Sequence, residues 1–323
     1  MATKTSSSDI YAPNSRKSLA TPDVPETVFD DALLRGFTLD LGASGRADKT
    51  LDIYEKSVRA LSDFANEMGL PGLAEMDTNA VRHWLKSLHE RGNKLATVSV
   101  RYRSVNRFFK WCVAEGERDS NPMDHIAPPK IPDEIQPFYK PDEINVVLKA
   151  IGKGTTLHQF RDKAIILTLF DTGVRASELV GMLVENVDWS ERSILVTGKA
   201  GKQRRVSVGH MAAAAIDRYI RKRREDSPYL WLASGQKFLT VNGLRMMLER
   251  RFKDAGIPFR GAHGFRRAFA MAYLDSGGAV DDLKELGGWE HYAMVTRYAR
   301  ANAGQRAVKA HKKFSPGDRL SGG

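Results

Sequence analysis

The stretch "PPKIPDEIQPFYKP", residues 128–141, carries five of the chain's 13 prolines. Proline fixes φ and lacks a backbone donor, so neither a helix interior nor a central strand can run through it. The segment reads as an extended connector, stiffer than a Gly/Ser linker. A chain of 323 residues leaves room for a separate core on each side of it. We place the linker at 126–141, one domain at 29–125 and a second at 142–305. Residues 1–28 are Ser/Thr/Pro-rich and aperiodic and read as a disordered tail, and 306–323 as a C-terminal tail.

Before the linker the apolar residues recur at helical spacing. In "TLDIYEKSVRALSDFANEMG" they are Ile53, Val58, Leu61 and Phe64. "DTNAVRHWLKSLHERG" opens on Asp77, an N-cap residue, and stops at Gly92. In "KLATVSVRYRSVNRFFKWCVAEG" the residues Val98, Tyr102, Val105, Phe109 and Cys112 share one face, with Arg103, Arg107 and Lys110 opposite. That basic face is either solvated surface or a contact to DNA phosphates.

After the linker, "KPDEINVVLKAI" reads as a capped helix, "RDKAIILTLFDTG" as a buried helix ending at Gly173, and "ASELVGML" as a short helix. "RSILVTGKAGKQRRVSVG" reads as two strands around a Gly/Lys turn, a β-hairpin. Helices follow to the end, the last being "YAMVTRYARANAGQRAVKAHKKF". The expected fold class is mainly α with a small antiparallel β-sheet.

Fifty basic residues against 39 acidic give a formal net charge of +11, which points to a polyanionic partner. No apolar run approaches the roughly 20 residues of a membrane span, so nucleic acid is favoured over a membrane. The single cysteine, Cys112, allows no internal disulfide and no thiolate metal cluster, which fits a reducing cytosol. There is no G-x-x-x-x-G-K-[ST] phosphate loop and no H-E-x-x-H metal motif. Neither a nucleotide cofactor nor a metal is expected.

Several polar residues sit at structurally awkward places. Arg175 stands at a helix junction with Glu178 three residues on, and Lys199 lies in the hairpin turn. His263 and Arg266 share a helix face, and Trp289 follows a Gly-Gly pair. Tyr298 comes nine residues later, flanked by Arg297 and Arg300. Singly, each has an ordinary reading: a surface ion pair, a solvated lysine, a packed aromatic.

In this order, "TGVRASEL", "TGKAGKQRRVSV", "HGFRRAFAMAYLDSGG" and "ELGGWEHYAMVTRYA" resemble the motifs of the tyrosine recombinases, the phage integrase family. Residues 29–124 resemble that family's helical core-binding (SAM-like) domain. The resemblance implies a two-domain, C-shaped DNA clamp with an all-helical N-terminal domain and an α+β catalytic domain. It implies Tyr298 as nucleophile, with Arg175 and Arg266 on the phosphate oxygens. His263 would assist proton transfer, Trp289 would bind phosphate and exclude water, and Lys199 would protonate the leaving 5′-oxygen. Glu178 would orient Arg175. Lys202 is the rival lysine and a DNA contact beside Arg103, Arg107 and Lys110; Tyr292 and Tyr273 are rival nucleophiles. Trp289 replaces a common histidine, and Arg267 stands where histidine is frequent.

Partners implied are double-stranded DNA with an inverted-repeat core site, a homo-tetramer on two sites, and a partner recombinase, all in the cytoplasm at the nucleoid. Mobile-element, integration and resolution roles all fit. The competing classes are a type IB topoisomerase and a catalytically silent DNA-binding regulator.

Overall fold

In the computed structural model, the described residues are 26–132, 136–198, 201–223, 226–233 and 237–320. The chain divides into two compact units, Met1–Pro132 and Asp133–Gly323.

The first unit is built from α1 (Glu26–Ala43), α2 (Asp48–Met68), α3 (Thr78–Glu90) and α4 (Leu95–Ala114). α1 begins at Glu26, three residues inside the stretch assigned to the disordered tail. Asp77 caps α3 as its sequence position suggests, accepting from the Ala80 N–H at 2.7 Å. The α4 face of Val98, Tyr102, Val105, Phe109 and Cys112 is buried throughout, against Phe37, Leu61 and Trp84 among others. On α2, Val58, Leu61 and Phe64 are buried, but Ile53 is 40% exposed. It precedes Val58 by five residues, which turns it off the buried stripe. Tyr102 donates to the Ile126 carbonyl at 2.5 Å, fixing the chain's exit from the unit.

The second unit starts with α5 (Pro141–Ala150), which takes Pro141 as its first residue, where a missing N–H costs no hydrogen bond. α6 (Leu157–Thr172) and α7 (Ala176–Val180) follow. The sheet is β1 (Val187–Asp188), β2 (Ser193–Thr197) and β3 (Gln203–Ser207), antiparallel in that order, with Ile194 opposite Val206. The expected hairpin is present as β2 and β3, and the short β1 adds a third strand. Then come α8 (His210–Lys222), α9 (Val241–Asp254), α10 (Gly261–Asp275), α11 (Val280–Gly287), α12 (Tyr292–Arg300) and α13 (Ala303–Phe314).

α6 is the central helix, packed against both α8 and α10. Its Asp162 is fully buried, with one oxygen bound by Arg161 and the other by Arg251 of α9. A buried carboxylate is tolerable only when paired in this way.

The last expected helix is two. Ala301 is extended and Asn302 adopts φ 55°, ψ 15°, which breaks the helical run between α12 and α13. Asparagine tolerates this left-handed conformation better than most residues. The break separates Tyr298 from the terminal basic helix. Among the described residues no helix is long and apolar enough to cross a membrane.

Candidate active site

The centre of the site is Glu178, on α7 and buried. Arg175, the N-cap residue of α7, donates its backbone N–H to Oε2 at 2.8 Å and its guanidinium to Oε1 at 2.7 Å. Arg204, on β3, forks onto both carboxylate oxygens at 2.9 Å and donates from Nε to the Leu286 carbonyl. Burial alone would raise the Glu178 carboxyl. The hydrogen bonds from Arg204, then from Arg175, outweigh it and bring the pKa to about 2.

The pairing has a pH signature. The folded-state pKa lies below the ordinary 4.5, so its stabilisation is present above that pH and lost as pH falls toward about 2. Glu178→Gln is expected to lower stability at neutral pH by on the order of 3 kcal/mol, the gap closing in acid. Urea unfolding midpoints measured down the acid range check this; a gap that stays constant with pH would rule the linkage out.

Arg175 keeps its side chain 42% exposed while reaching the Gly288 carbonyl at 3.2 Å. It therefore presents guanidinium N–H groups to solvent on one edge. Arg204 was not among the residues picked from sequence. The signal was available: strand alternation puts Arg204 on the same face as the buried Val206.

Lys199 lies outside the described residues. At the edge of its turn the Gly198 N–H donates to the Lys202 carbonyl at 2.7 Å. Lys202 itself is 78% exposed, its Nζ 3.9 Å from Glu290. A cleft of about 540 Å³ is lined by Arg175, Lys202, Arg204, Trp289, Glu290 and His291. A cavity of about 370 Å³ beside Asp171 and Tyr273 contains none of the phosphate-facing candidates.

α10 supplies His263, Arg266 and Arg267. Arg266 is 1% exposed and donates to the carbonyls of Gly173 at 2.8 Å and Gly287 at 2.7 Å. Its guanidinium lies 4.0 Å from the Trp289 ring centroid. Burial first, then the charge of Arg175, pushes its pKa down to about 10, so it stays cationic at neutral pH. His263 keeps an exposed edge, yet the protein mass around it lowers its pKa, and Arg267, Arg266 and Arg175 lower it further. The imidazole is thereby biased toward its neutral, proton-accepting form.

The Gly-Gly pair has a steric role. Gly288 caps α11 at φ 62°, and a Cβ on Gly287 would stand 1.8 Å from the Trp289 ring. Only glycine at 287 lets that indole fold back beneath Arg266. Tyr298, on α12, packs near the indole, its ring 5.9 Å from that of Trp289. It is buried, and burial raises its phenol pKa, opposed by Arg267, Arg266 and Arg297.

Arg175 thus pairs with Glu178, Arg266 and Tyr298 each meet Trp289, and the two groups are tied by the arginines' bonds to the backbone at Gly173, Gly287 and Gly288, with His263 on the same helix as Arg266. Of the rival nucleophiles, Tyr292 is 53% exposed and sits against Lys284, and Tyr273 packs beside Phe269. Arg103, Arg107 and Lys110 line the exposed face of α4 in the first unit.

A mostly helical unit with one small sheet that gathers two arginines, an indole and a phenol at one site has the build of a tyrosine recombinase catalytic domain. The chain belongs to the phage integrase family: that family's profile matches residues 137–305, and its N-terminal SAM-like domain matches residues 34–116. It is 29% identical over 260 residues to the tyrosine recombinase XerC of Halalkalibacterium halodurans, covering 77% of this chain and 86% of the relative. Against XerC of Anoxybacillus flavithermus it is 27% identical over 261 residues, covering 78% and 87%. The fold is similar to that of the XerH site-specific recombinase bound to palindromic difH substrate in a post-cleavage complex. That match has a TM-score of 0.69 at 18% identity and covers 81% of this chain and 79% of the other.

Proposed function

We propose that this chain is a site-specific DNA recombinase that cleaves and rejoins strands through a phosphotyrosyl intermediate. The observation that carries the reading is that Arg266 and Tyr298 both meet one indole, an anion-binding fork 4.0 Å from the Trp289 ring centroid and a phenol ring 5.9 Å from it. In the proposed step the Tyr298 oxygen attacks a DNA phosphorus, the bond to the 5′-oxygen breaks, and a 3′-phosphotyrosyl linkage remains. Arg175 and Arg266 bind the non-bridging oxygens, for which planar guanidinium forks are suited. Neutral His263 accepts the phenol proton, and Lys199 gives one to the leaving 5′-oxygen. The ester energy is retained, so a second 5′-hydroxyl can reverse the attack and no nucleotide is consumed.

The exposed face of Arg103, Arg107 and Lys110, with Lys202 at the cleft, gives phosphate contacts that position the duplex without reading its sequence. Tyrosine recombinase relatives along most of the chain favour recombination over relaxation or silent binding. A DNA substrate is what supports a cytoplasmic location. The test is covalent trapping on DNA, followed by mass mapping of the modified peptide. Attachment at the Tyr298 peptide supports the reading, and no attachment to any DNA would remove it.

Assembly as a homo-tetramer is supported by α13. None of its residues is buried, and it exposes Val308 and Phe314. Such apolar side chains suit packing on a neighbouring subunit. A chain ending at Arg306, which keeps the Arg306–Asp275 pair, is expected to bind DNA but lose the tetramer. Analytical ultracentrifugation on DNA checks this; an unchanged assembly would refute it.

A further inference from the structure

Arg204 takes no part in the proposed cleavage step, yet each of its three guanidinium nitrogens is held by the protein. Nη1 and Nη2 donate to the two oxygens of Glu178, both at 2.9 Å, and Nε donates to the Leu286 carbonyl at 3.1 Å. The Arg204 side chain is 17% exposed and that of Glu178 1%. Two glycines allow the close approach. A Cβ on Gly288 would stand 3.0 Å from Arg204 Nε, and one on Gly198 would stand 3.2 Å from Glu178 Oε1. One guanidinium therefore ties β3 to α7 and to the end of α11.

Arg175 meets the same carboxylate with less of its guanidinium. Its Nη1 donates to Oε1 at 2.7 Å, while Oε2 is taken by the Arg175 backbone N–H at 2.8 Å and by Arg204 at 2.9 Å. The Arg175 Nη2 turns away to the Gly288 carbonyl at 3.2 Å. We infer that Arg204 is a positioning residue for Arg175: by occupying both oxygens of Glu178, it stops Arg175 from closing onto that carboxylate and leaves it a surplus positive charge for an anion in the cleft. The inference rests on the recombinase reading for the identity of that anion, a DNA phosphate. Both arginines line the cleft of about 540 Å³. Arg175, with its side chain 42% exposed, is the one that offers the charge.

A carboxylate and a phosphate are rival ligands for one guanidinium, since both match its planar fork. Glu178 is built in beside Arg175, and at 1% exposure water screens it little. Paired alone, the two would be neutral, with the fork already occupied. Two guanidinium groups on one carboxylate instead leave a net charge of +1. Among the described residues no other carboxylate is bonded to either arginine. Burial opposes ionisation of Glu178 most, and among the groups that favour it Arg204 comes first. Arg204 thus keeps the carboxylate charged, so that it still orients Arg175, and offsets the charge that would otherwise compete with the phosphate.

The test uses the full chain labelled with ¹⁵N-arginine, the Arg175 Nε–H resonance being assigned with Arg175→Lys and followed as inorganic phosphate is added. Arg204→Gln keeps an amide donor for Glu178 but loses the charge, and the phosphate midpoint at Arg175 is expected to rise about tenfold. Removing the carboxylate charge as well, in Glu178→Gln/Arg204→Gln, should recover most of that loss. Arg204→Lys keeps the charge and should stay near wild type. All titrations are run below the melting temperature of the least stable variant. A wild-type midpoint in Arg204→Gln would overturn the inference, as would a wild-type Arg175 resonance that phosphate does not move. A tenfold loss that neither the double variant nor the lysine relieves would make Arg204 a mere brace and also overturn it. On DNA recovered by trapping the wild-type protein, Arg204→Gln should cleave about tenfold more slowly, and an unchanged rate would count against the inference. Should the wild type form no adduct while the phosphate titrations follow the expected order, the recombinase reading fails and the positioning role stands.

Discussion

Tyr298→Phe is expected to abolish covalent attachment to DNA, a loss of roughly 10⁴-fold or more in strand cleavage. The substitution deletes one oxygen and leaves the ring that packs on Trp289 and among Val295, Met271 and Leu283. Among the described residues no hydrogen bond to that hydroxyl is lost, so stability should hold to within about 1 kcal/mol. DNA affinity should hold as well, because the proposed phosphate contacts come from arginines on other elements. Tyr292→Phe is the matched control: that ring is exposed on the first turn of α12, and loss of its hydroxyl should leave cleavage intact. Denaturing gels of trapped complexes read the result. An adduct that persists in Tyr298→Phe and disappears in Tyr292→Phe would reassign the nucleophile.

The residues that make this prediction possible are legible in the sequence because each is tied to a local pattern. Gly173 ends α6 two residues before Arg175, Gly287–Gly288 ends α11 before Trp289, and helical spacing places Arg266 beside His263. Those patterns fix local backbone, and the order of the motifs carries the resemblance. What sequence could not give is which side chains meet across elements. Glu178 is expected to orient Arg175, a neighbour in the chain, but its second guanidinium comes from Arg204, 26 positions away. Tyr298 is placed by spacing alone, and its burial against Trp289 depends on the steep return of the indole over Gly287. The helix break at Asn302 escapes a sequence reading because asparagine is compatible with helix and with left-handed backbone alike, and only tertiary packing decides.

Arg266→Lys is expected to reduce cleavage by about 10²–10³-fold while leaving one positive charge at position 266. Geometry, not net charge, sets the expected loss. In the wild type, Nη1 and Nη2 each hold a backbone carbonyl, Gly173 before Arg175 and Gly287 before Trp289. The guanidinium thereby fixes the two segments that carry Arg175 and Trp289, and it lies over the indole ring. A lysine ammonium has three donors on a point-like group and cannot span two carbonyls while also lying flat on an aromatic ring. One carbonyl is then left buried without a donor, a cost of about 1–3 kcal/mol in stability. Burial has already pushed the arginine's pKa down to about 10, so the site tolerates a cation there against its desolvation cost. That tolerance is intelligible if the charge is needed when a phosphate arrives. Single-turnover cleavage at a temperature where both proteins remain folded separates the two effects. If the Arg266→Lys variant melted earlier but cleaved at the wild-type rate, Arg266 would have a structural role alone.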